Sequence, residues 1–417
     1  MTREVHVVGG GLAGCEAALR LAANGLKAVV WEMKPGKFSP AHRLSTLAEL
    51  VCSNSFRSDS PDKAVGLLKE ELVQLGSVVM RAALEHRVPA GRCLAVDRVL
   101  FSQKATALVS SHPLVEIRRE EFTGEFIPSE PLILAGGPLA SEALVDFLKK
   151  LNPEKSLFFY DALAPIVAYE SLDLSKIYRA DRYGPEGEGD YLNCPLTQAE
   201  YEAFYAALVE ADRVEPRPFE ENRCFEGCLP IEVMAARGPK TLVFGPMKPV
   251  GLNDPKTGQR PAAVVQLRRE NLAGTLWNLV GFQTRLTRPA QDRVFRLIPG
   301  LEKAEFSRYG AIHRNTFVEA PAVLDPYQRL LAAPQIFVAG QLSGVEGYVE
   351  SATQGLWAAE CASRQALGRP LARPPRETAL GSLLSHLEDF GGRQGFAPSN
   401  VNFGLFPPPR PARAAKK

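Results

Sequence analysis

An α/β protein carrying an α+β insertion is predicted by three features of the 417-residue sequence. The first 34 residues read as strand, glycine turn, helix and strand. Two later apolar runs, at 132–134 and 336–339, again pass straight into glycine. From about residue 160, between those runs, the composition shifts to exposed turns, an amphipathic segment and a stretch dense in Gly and Pro. Strands alternating with helices define an α/β domain, and a block of different composition inside it reads as an insertion.

Each element follows from its residues. Val5-His6-Val7-Val8 is a short apolar strand, and Gly9 to Gly14 is the turn after it. Ala17, Ala18, Leu21 and Ala22 recur at helical spacing up to Asn24-Gly25, a C-terminal signal. Ala28 to Trp31 is the next strand, ending at Glu32. Residues 36–60, rich in Ser, Pro and Arg, are expected to form an irregular loop wrapped around something, and residues 64–83 to be helical. Leu132-Ile133-Leu134 meets Ala135-Gly136-Gly137. Residues 198–212 read as an amphipathic helix, and residues 350–367 as a helix following the last strand. The expected boundaries are 1–160 for the first part of the main domain, 161–299 for the insertion and 300–406 for the second part. A basic, Pro-rich tail at 407–417 is expected to be disordered.

Composition narrows the class of protein. With 45% hydrophobic and 23% charged residues, collagen, coiled coil and wholesale disorder are excluded. No signal-peptide core and no apolar run of about 18 residues is present, so a cytosolic chain with no membrane span is expected. The seven cysteines (Cys15, Cys52, Cys93, Cys194, Cys224, Cys228 and Cys361) are odd in number and lack a disulfide rhythm. Cys224-x-x-x-Cys228 has no second Cys/His pair nearby, so no metal site is expected. The net charge of +2 is unremarkable, but its distribution is not: residues 237–296 carry eleven bases against three acids, and residues 200–232 nine acids against three bases. The basic stretch is either a solvated face or a surface for a polyanion.

Gly9-x-Gly11-x-x-Gly14 between strand and helix carries a cofactor reading. Gly9 allows the tight turn, Gly11 lets the backbone approach a pyrophosphate, and Gly14 lets the helix pack on the strand. Gly10, Leu12 and Ala13 complete the loop, and the N–H groups opening the helix face the phosphates. Glu32, 18 residues past the last glycine, is placed to accept from an adenosine ribose hydroxyl. That motif suits FAD or NAD. The later strand ending in Ala339-Gly340-Gln341, followed by Gly344 and Gly347 and then a helix, favours FAD, because a second helix N-terminus stabilises negative charge on a reduced flavin. A Rossmann-like FAD-binding domain of the GR2 flavoprotein type is therefore expected.

Several longer runs resemble the TrmFO family: Ala48-Glu49-Leu50-Val51-Cys52-Ser53-Asn54-Ser55, Phe225-Glu226-Gly227-Cys228-Leu229-Pro230, Phe244-Gly245-Pro246-Met247-Lys248-Pro249, Val280-Gly281-Phe282-Gln283-Thr284, His313-Arg314-Asn315-Thr316 and Gly340 through Glu350. The resemblance spans roughly Val5 to Phe406. It implies a folate- and FAD-dependent tRNA (uracil-5-)methyltransferase. Such an enzyme takes a methylene from 5,10-methylenetetrahydrofolate to C5 of uridine 54 in the T-arm of tRNA, and FAD reduced by NADH or NADPH turns it into methyl. It also implies Cys52 and Cys228 as the two functional thiols, one adding to uracil C6 and the other assisting, with the division of labour left open. A thiolate suits that addition, and a nearby cation (Arg43 or Arg57, should either fold back) would favour it.

Other residues carry two readings each. His313 is a structural histidine or a neighbour of flavin and folate. Glu346 and Glu350 hold folate amino groups or cap the following helix. Gln283 and Arg285 bind folate glutamate or tRNA phosphate. Arg260, Arg268, Arg269, Arg285, Arg288, Arg293 and Arg296 are candidates for contacts to the tRNA backbone. Trp277 and Phe282 serve there as stacking surfaces or belong to the core. The family pattern is departed from at Cys224 and at Gly136 within Ala135-Gly136-Gly137-Pro138-Leu139, which puts in doubt a hydroxyl contact there. Two competing classes are weighed: the longer MnmG type acting on the wobble uridine, and an NAD(P)H-flavin disulfide reductase, for which no redox cysteine pair is evident. The oligomeric state stays open, a monomer included.

Overall fold

The computed structural model describes residues 3–125, 130–151, 156–184, 188–214, 229–388, 396 and 398–408, with the backbone alone at 156–161 and 312–314. A six-stranded sheet runs in the order Arg329–Leu330, Ala333–Val338, Leu132–Leu134, Glu4–Val8, Lys27–Trp31, Val115–Arg118. All neighbours are parallel except the Arg329–Leu330 edge, which forms a hairpin with Ala333–Val338. Val7 lies opposite both Val30 and Ile133, and Ile133 opposite Phe337. Because side chains alternate across a strand, Val5, Val7, Ile133 and Phe337 enter the main core, and Val8, Leu134 and Val338 a smaller one with Leu144 and Phe147 on the other face.

The helix Leu12–Ala23 packs against the helix Tyr348–Ala366 on that main core. Their backbones nearly touch: a Cβ on Gly355 would lie 2.1 Å from the Ala13 carbonyl oxygen. The stretch expected as one helix over 64–83 is two, Ala64–Gln74 and Val78–Glu85. Gly76, at φ +76°, takes the left-handed conformation that ends the first, and the Ser77 hydroxyl caps the second by accepting from Met80 N at 3.0 Å. Within the expected irregular loop, Ser55–Ser58 pairs as a strand with Cys93–Val96, which also pairs with Arg87–Val88.

A second sheet is antiparallel throughout: Tyr178–Arg179, Leu192–Leu196, Ala263–Arg269, Leu276–Leu279, Ile166–Ala168, Phe306–Arg308. The helices Gln198–Val209 and Arg288–Phe295 contribute to its core, the first opened by a capping box between Thr197 and Glu200. Trp277 and Phe282 are fully buried in that core, so neither is a stacking surface; Trp277 instead stacks on Tyr169. Ser156–Ala162 and Ile312–Val318 form a two-stranded antiparallel ladder. Among the described residues no helix is long and apolar enough to cross a membrane.

Candidate functional site

The central strand delivers the glycine turn to the top of the parallel sheet. Gly9 has φ +102°, and a Cβ there would sit 2.5 Å from the Ala135 carbonyl oxygen; one on Gly14 would sit 1.8 Å from Gly9 O. Only glycine lets the chain turn this tightly between two strands and then pack a helix on the turn. Gly11 opens the helix with no side chain capping it, and a Cβ there would meet nothing within 4 Å. The first N–H groups of the helix therefore face open space, the donor set an anionic pyrophosphate requires. Glu32 is buried, and its carboxylate accepts from Gly10 N and Lys34 N, both at 2.9 Å, so the acid also fixes the glycine loop.

A cavity of about 350 Å³ lies in front of this turn. It gathers Gly9, Gly10, Gly11, Leu12, Ala13 and Glu32 from the first half of the chain, and Gly340, Gln341, Glu346 and Gly347 from the second. Gly14 does not line it, in keeping with a packing role. Gly347, at φ +110°, opens the Tyr348–Ala366 helix without a side-chain cap, so a second helix N-terminus borders the same space. Gln341 Nε2 donates to the Glu346 carboxylate at 2.5 Å, and Asn400 donates to the Glu346 carbonyl, which ties this loop together. The anion-ready first turn, the buried acid and the second helix N-terminus fit the pyrophosphate, ribose and ring of FAD.

Cys52 stands where this cavity meets a smaller recess of about 150 Å³; it lines both, as do Ser53, Ser55, Arg57 and Gln283. Its segment is held from four directions. The Tyr348 hydroxyl accepts from Cys52 N at 2.9 Å and Ser53 N at 3.1 Å, and donates to Ser53 O at 3.0 Å. Arg98 donates to Leu50 O at 2.8 Å and Cys52 O at 3.3 Å, and pairs with Glu270. Arg308 donates to Val51 O at 3.0 Å. Asn54, fully buried, donates to Val96 O at 2.9 Å and Arg269 O at 3.0 Å and accepts from Arg268 Nε at 3.1 Å. Burial raises the Tyr348 hydroxyl pKa, and the neighbouring Cys52 adds to the rise. Burial, seconded by Arg98, lowers that of Arg308.

The other described cysteines differ from Cys52. Cys15, Cys194 and Cys361 are buried, and burial pushes each thiol up, that of Cys361 to about 12. Cys93 Sγ lies 2.8 Å from Ser55 Oγ and lines neither cavity. Cys224 and Cys228 lie outside the described residues, as does the imidazole of His313, whose backbone pairs with Asp161. Gln283 and Glu346 line the main cavity; Arg285 does not, since its backbone N donates to Glu232 at 2.9 Å and its guanidinium lies 3.7 Å from the same carboxylate. Of the two arginines expected near the thiol, Arg43 is exposed and lines neither cavity, whereas Arg57 lines both and pairs with buried Glu350. Glu350 thus serves Arg57 and Val401 N, which donates to it at 2.9 Å. Arg98, Arg308 and Tyr348 carry no local signal of this task; Tyr348 lies within the run from Gly340 to Glu350, but nothing local ties it to residue 52.

Of the basic stretch, Arg260, Arg288, Arg293 and Arg296 are exposed, whereas Arg268 is buried. No group of three or more His, Cys, Asp or Glu among the described residues could hold a metal ion.

A parallel sheet with its ligand cavity beyond the strand ends, where a glycine turn meets a helix N-terminus, places the molecule among the Rossmann-like FAD-binding flavoproteins. Its residues 4–370 match the family described as Glucose inhibited division protein A. A methylenetetrahydrofolate–tRNA-(uracil-5-)-methyltransferase TrmFO of Geobacter sulfurreducens is 57% identical over 98% of this chain and 93% of its own. The protein of the same name from Moorella thermoacetica is 54% identical over the same shares. Aquifex aeolicus GidA, in its form I crystal, shares the fold with TM-score 0.71 at 18% identity, over 95% of this chain and 71% of its own. The chain belongs to the Glucose inhibited division protein A family, in its TrmFO branch.

Proposed function

We propose that the protein transfers the methylene of 5,10-methylenetetrahydrofolate to C5 of uridine 54 in the T-arm of tRNA, where it is reduced to methyl. The observation that carries this reading is the position of Cys52, at the mouth between the cavity suited to FAD and a second recess. Two compartments meeting at one accessible thiol suit a reaction that brings a redox group and a nucleobase together. The names of the relatives supply the substrates.

Gly9 to Ala13 and Glu32 would hold the pyrophosphate and adenosine ribose of FAD, and the Gly340-Gln341 and Gly347 loop the flavin. When bound and reduced by NADH or NADPH, FAD supplies the two electrons that convert methylene to methyl. Cys52 is the thiol that adds to C6 of uracil, a step that makes C5 nucleophilic. Tyr348, Arg98 and Arg308 grip the backbone on both sides of it, so the sulfur is held in place without side-chain contacts that would block it. Gln283, on the shared wall, and Glu346 are candidates for the folate. His313, Arg285 and Cys228 keep the roles implied by resemblance alone, the last as the assisting thiol. Exposed Arg260, Arg288, Arg293 and Arg296 would contact tRNA phosphates.

The test is to incubate the purified protein with unmodified tRNA, folate labelled at the methylene carbon, and NADH or NADPH, and then analyse the nucleosides. Label in 5-methyluridine supports the reading. Methylation that draws its carbon only from S-adenosylmethionine overturns it.

A further inference from the structure

The recess beside Cys52 has a polar wall that the placement of FAD and folate leaves unused. Asn278 and Arg268 line it together with Gly281, Val280 and Ala164. Both polar residues sit on neighbouring antiparallel strands, where Arg268 is paired directly with Asn278. Asn278 is only 2% exposed, and its amide nitrogen donates to Pro165 O at 3.5 Å, which leaves its Oδ1 as the group offered to the recess. Arg268 is 7% exposed; its Nε donates to Asn54 Oδ1 and it bonds Tyr191, and no carboxylate among the described residues pairs with it. A buried acceptor and a buried cation without a counter-charge, side by side in an open recess, call for a ligand offering an N–H beside an oxygen that gathers negative charge.

We propose that this recess seats the target uracil, with Asn278 Oδ1 accepting from N3–H and the Arg268 guanidinium facing O4. The proposal rests on the reading of the function given above and goes beyond it by naming the residues that choose the base. Its chemistry is explicit. The Cys52 thiol first gives its proton to solvent. The thiolate then forms the S–C6 bond, and the C5=C6 electron pair moves through C4 onto O4. Arg268 neutralises that oxyanion. The pair returns to C5 when C5 bonds the methylene carbon; the C5 proton then leaves to solvent, and the bond from that carbon to the folate nitrogen breaks to release tetrahydrofolate. The two electrons and one proton supplied by the reductant named above turn the resulting exocyclic methylene into methyl as the S–C6 bond breaks and the thiolate leaves. The same arrangement rejects cytosine, whose N3 carries a lone pair facing Asn278 Oδ1 and whose 4-amino group meets the guanidinium.

The experiment compares tRNAs bearing uridine or cytidine at position 54, using methylene-labelled folate and the wild-type, Asn278→Asp and Arg268→Gln proteins. Flavin absorbance and tRNA affinity of each protein are measured alongside. The wild type is expected to label uridine only. In Asn278→Asp, kcat/KM on uridine is expected to fall about 10–100-fold, with label appearing in 5-methylcytidine, because a carboxylate at this position accepts from cytosine protonated at N3. A structural role would not move that base preference. Arg268→Gln is expected to lower kcat about 100-fold with flavin content and tRNA affinity retained. An unchanged uridine-to-cytidine ratio in Asn278→Asp, or full kcat in Arg268→Gln, overturns the proposal while wild-type labelling leaves the function standing. Absence of label from the wild type overturns the function and this assignment with it.

Discussion

The hydroxyl of Tyr348 accepts from the backbone N–H of Cys52 at 2.9 Å and of Ser53 at 3.1 Å, across 296 residues of sequence. Tyr348 opens the helix whose N-terminus borders the main cavity, so this one oxygen ties the Cys52 loop to the wall of that cavity. Tyr348→Phe leaves both part-buried N–H groups without their acceptor, at a cost of about 1 kcal/mol for each. The expected outcome is a lower unfolding midpoint in urea together with slower methylene transfer at unchanged flavin content. Wild-type kinetics and stability in this variant would show that the loop is held by other contacts.

Arg98 joins the two sheets at the same loop, donating to Leu50 O and Cys52 O while pairing with Glu270. Glu270 is buried, and its Oε2 has no hydrogen-bond partner, so its charge depends on Arg98. Arg98→Met is expected to destabilise by about 3–5 kcal/mol through that uncompensated charge. Glu270→Met in the same background should restore most of the loss. Equilibrium unfolding of the single and double variants measures both effects, and strict additivity of the two substitutions would exclude the pairing.

Glu16 sits inside the first helix, and burial pushes its carboxyl up from 4.5 to about 7, more than the opposing hydrogen bonds from Ser77 and the Val79 and Val78 amides lower it. With the folded pKa above the unfolded one, the native state binds the extra proton between those values. Stability is therefore expected to fall as pH rises from about 4.5 to about 7 through this group. Glu16→Gln should flatten that part of the stability profile. Thermal melts across this range, compared between wild type and variant, decide it; identical slopes would remove Glu16 from the account.

Thiol chemistry separates the cysteines. At pH 8 iodoacetamide should modify Cys52 in the native protein while Cys15, Cys194 and Cys361 stay unmodified until denaturant is added, since burial holds those three as unreactive thiols. Peptide mapping over a time course reads the order. Cys93→Ala, which removes a contact to the Ser55 hydroxyl outside both cavities, is expected to transfer methylene at nearly the wild-type rate.

The placement of the main cavity was legible because its signals are local. Gly9, Gly11, Gly14 and Glu32 fall within one strand–helix–strand unit, and their spacing points to the role proposed for them; Gly340 and Gly347 follow in the same way from one strand and one helix. Cys52 was found through its motif. What holds the Cys52 segment was not legible, because Tyr348 and Arg98 reach Cys52 from 296 and 46 residues away and Arg308 reaches Val51 from 257. Arg43, nearer in sequence, points elsewhere. Periodicity likewise missed the break at Gly76, where one left-handed glycine and a capping serine divide an otherwise continuous helical pattern. Arg268 read as part of a basic surface, yet its strand carries it inward beside Asn278, a placement fixed by sheet pairing rather than by charge.

A single mass measurement bears on the placement of Cys52 most directly. The protein is incubated with folate and tRNA carrying 5-fluorouridine at position 54, whose fluorine blocks release of the C5 substituent, and is then digested with protease and nuclease. A nucleotide mass on the peptide containing Cys52, lost in Cys52→Ala, is expected. An adduct on a different residue, or one that forms equally well in Cys52→Ala, would remove this thiol from the chemistry.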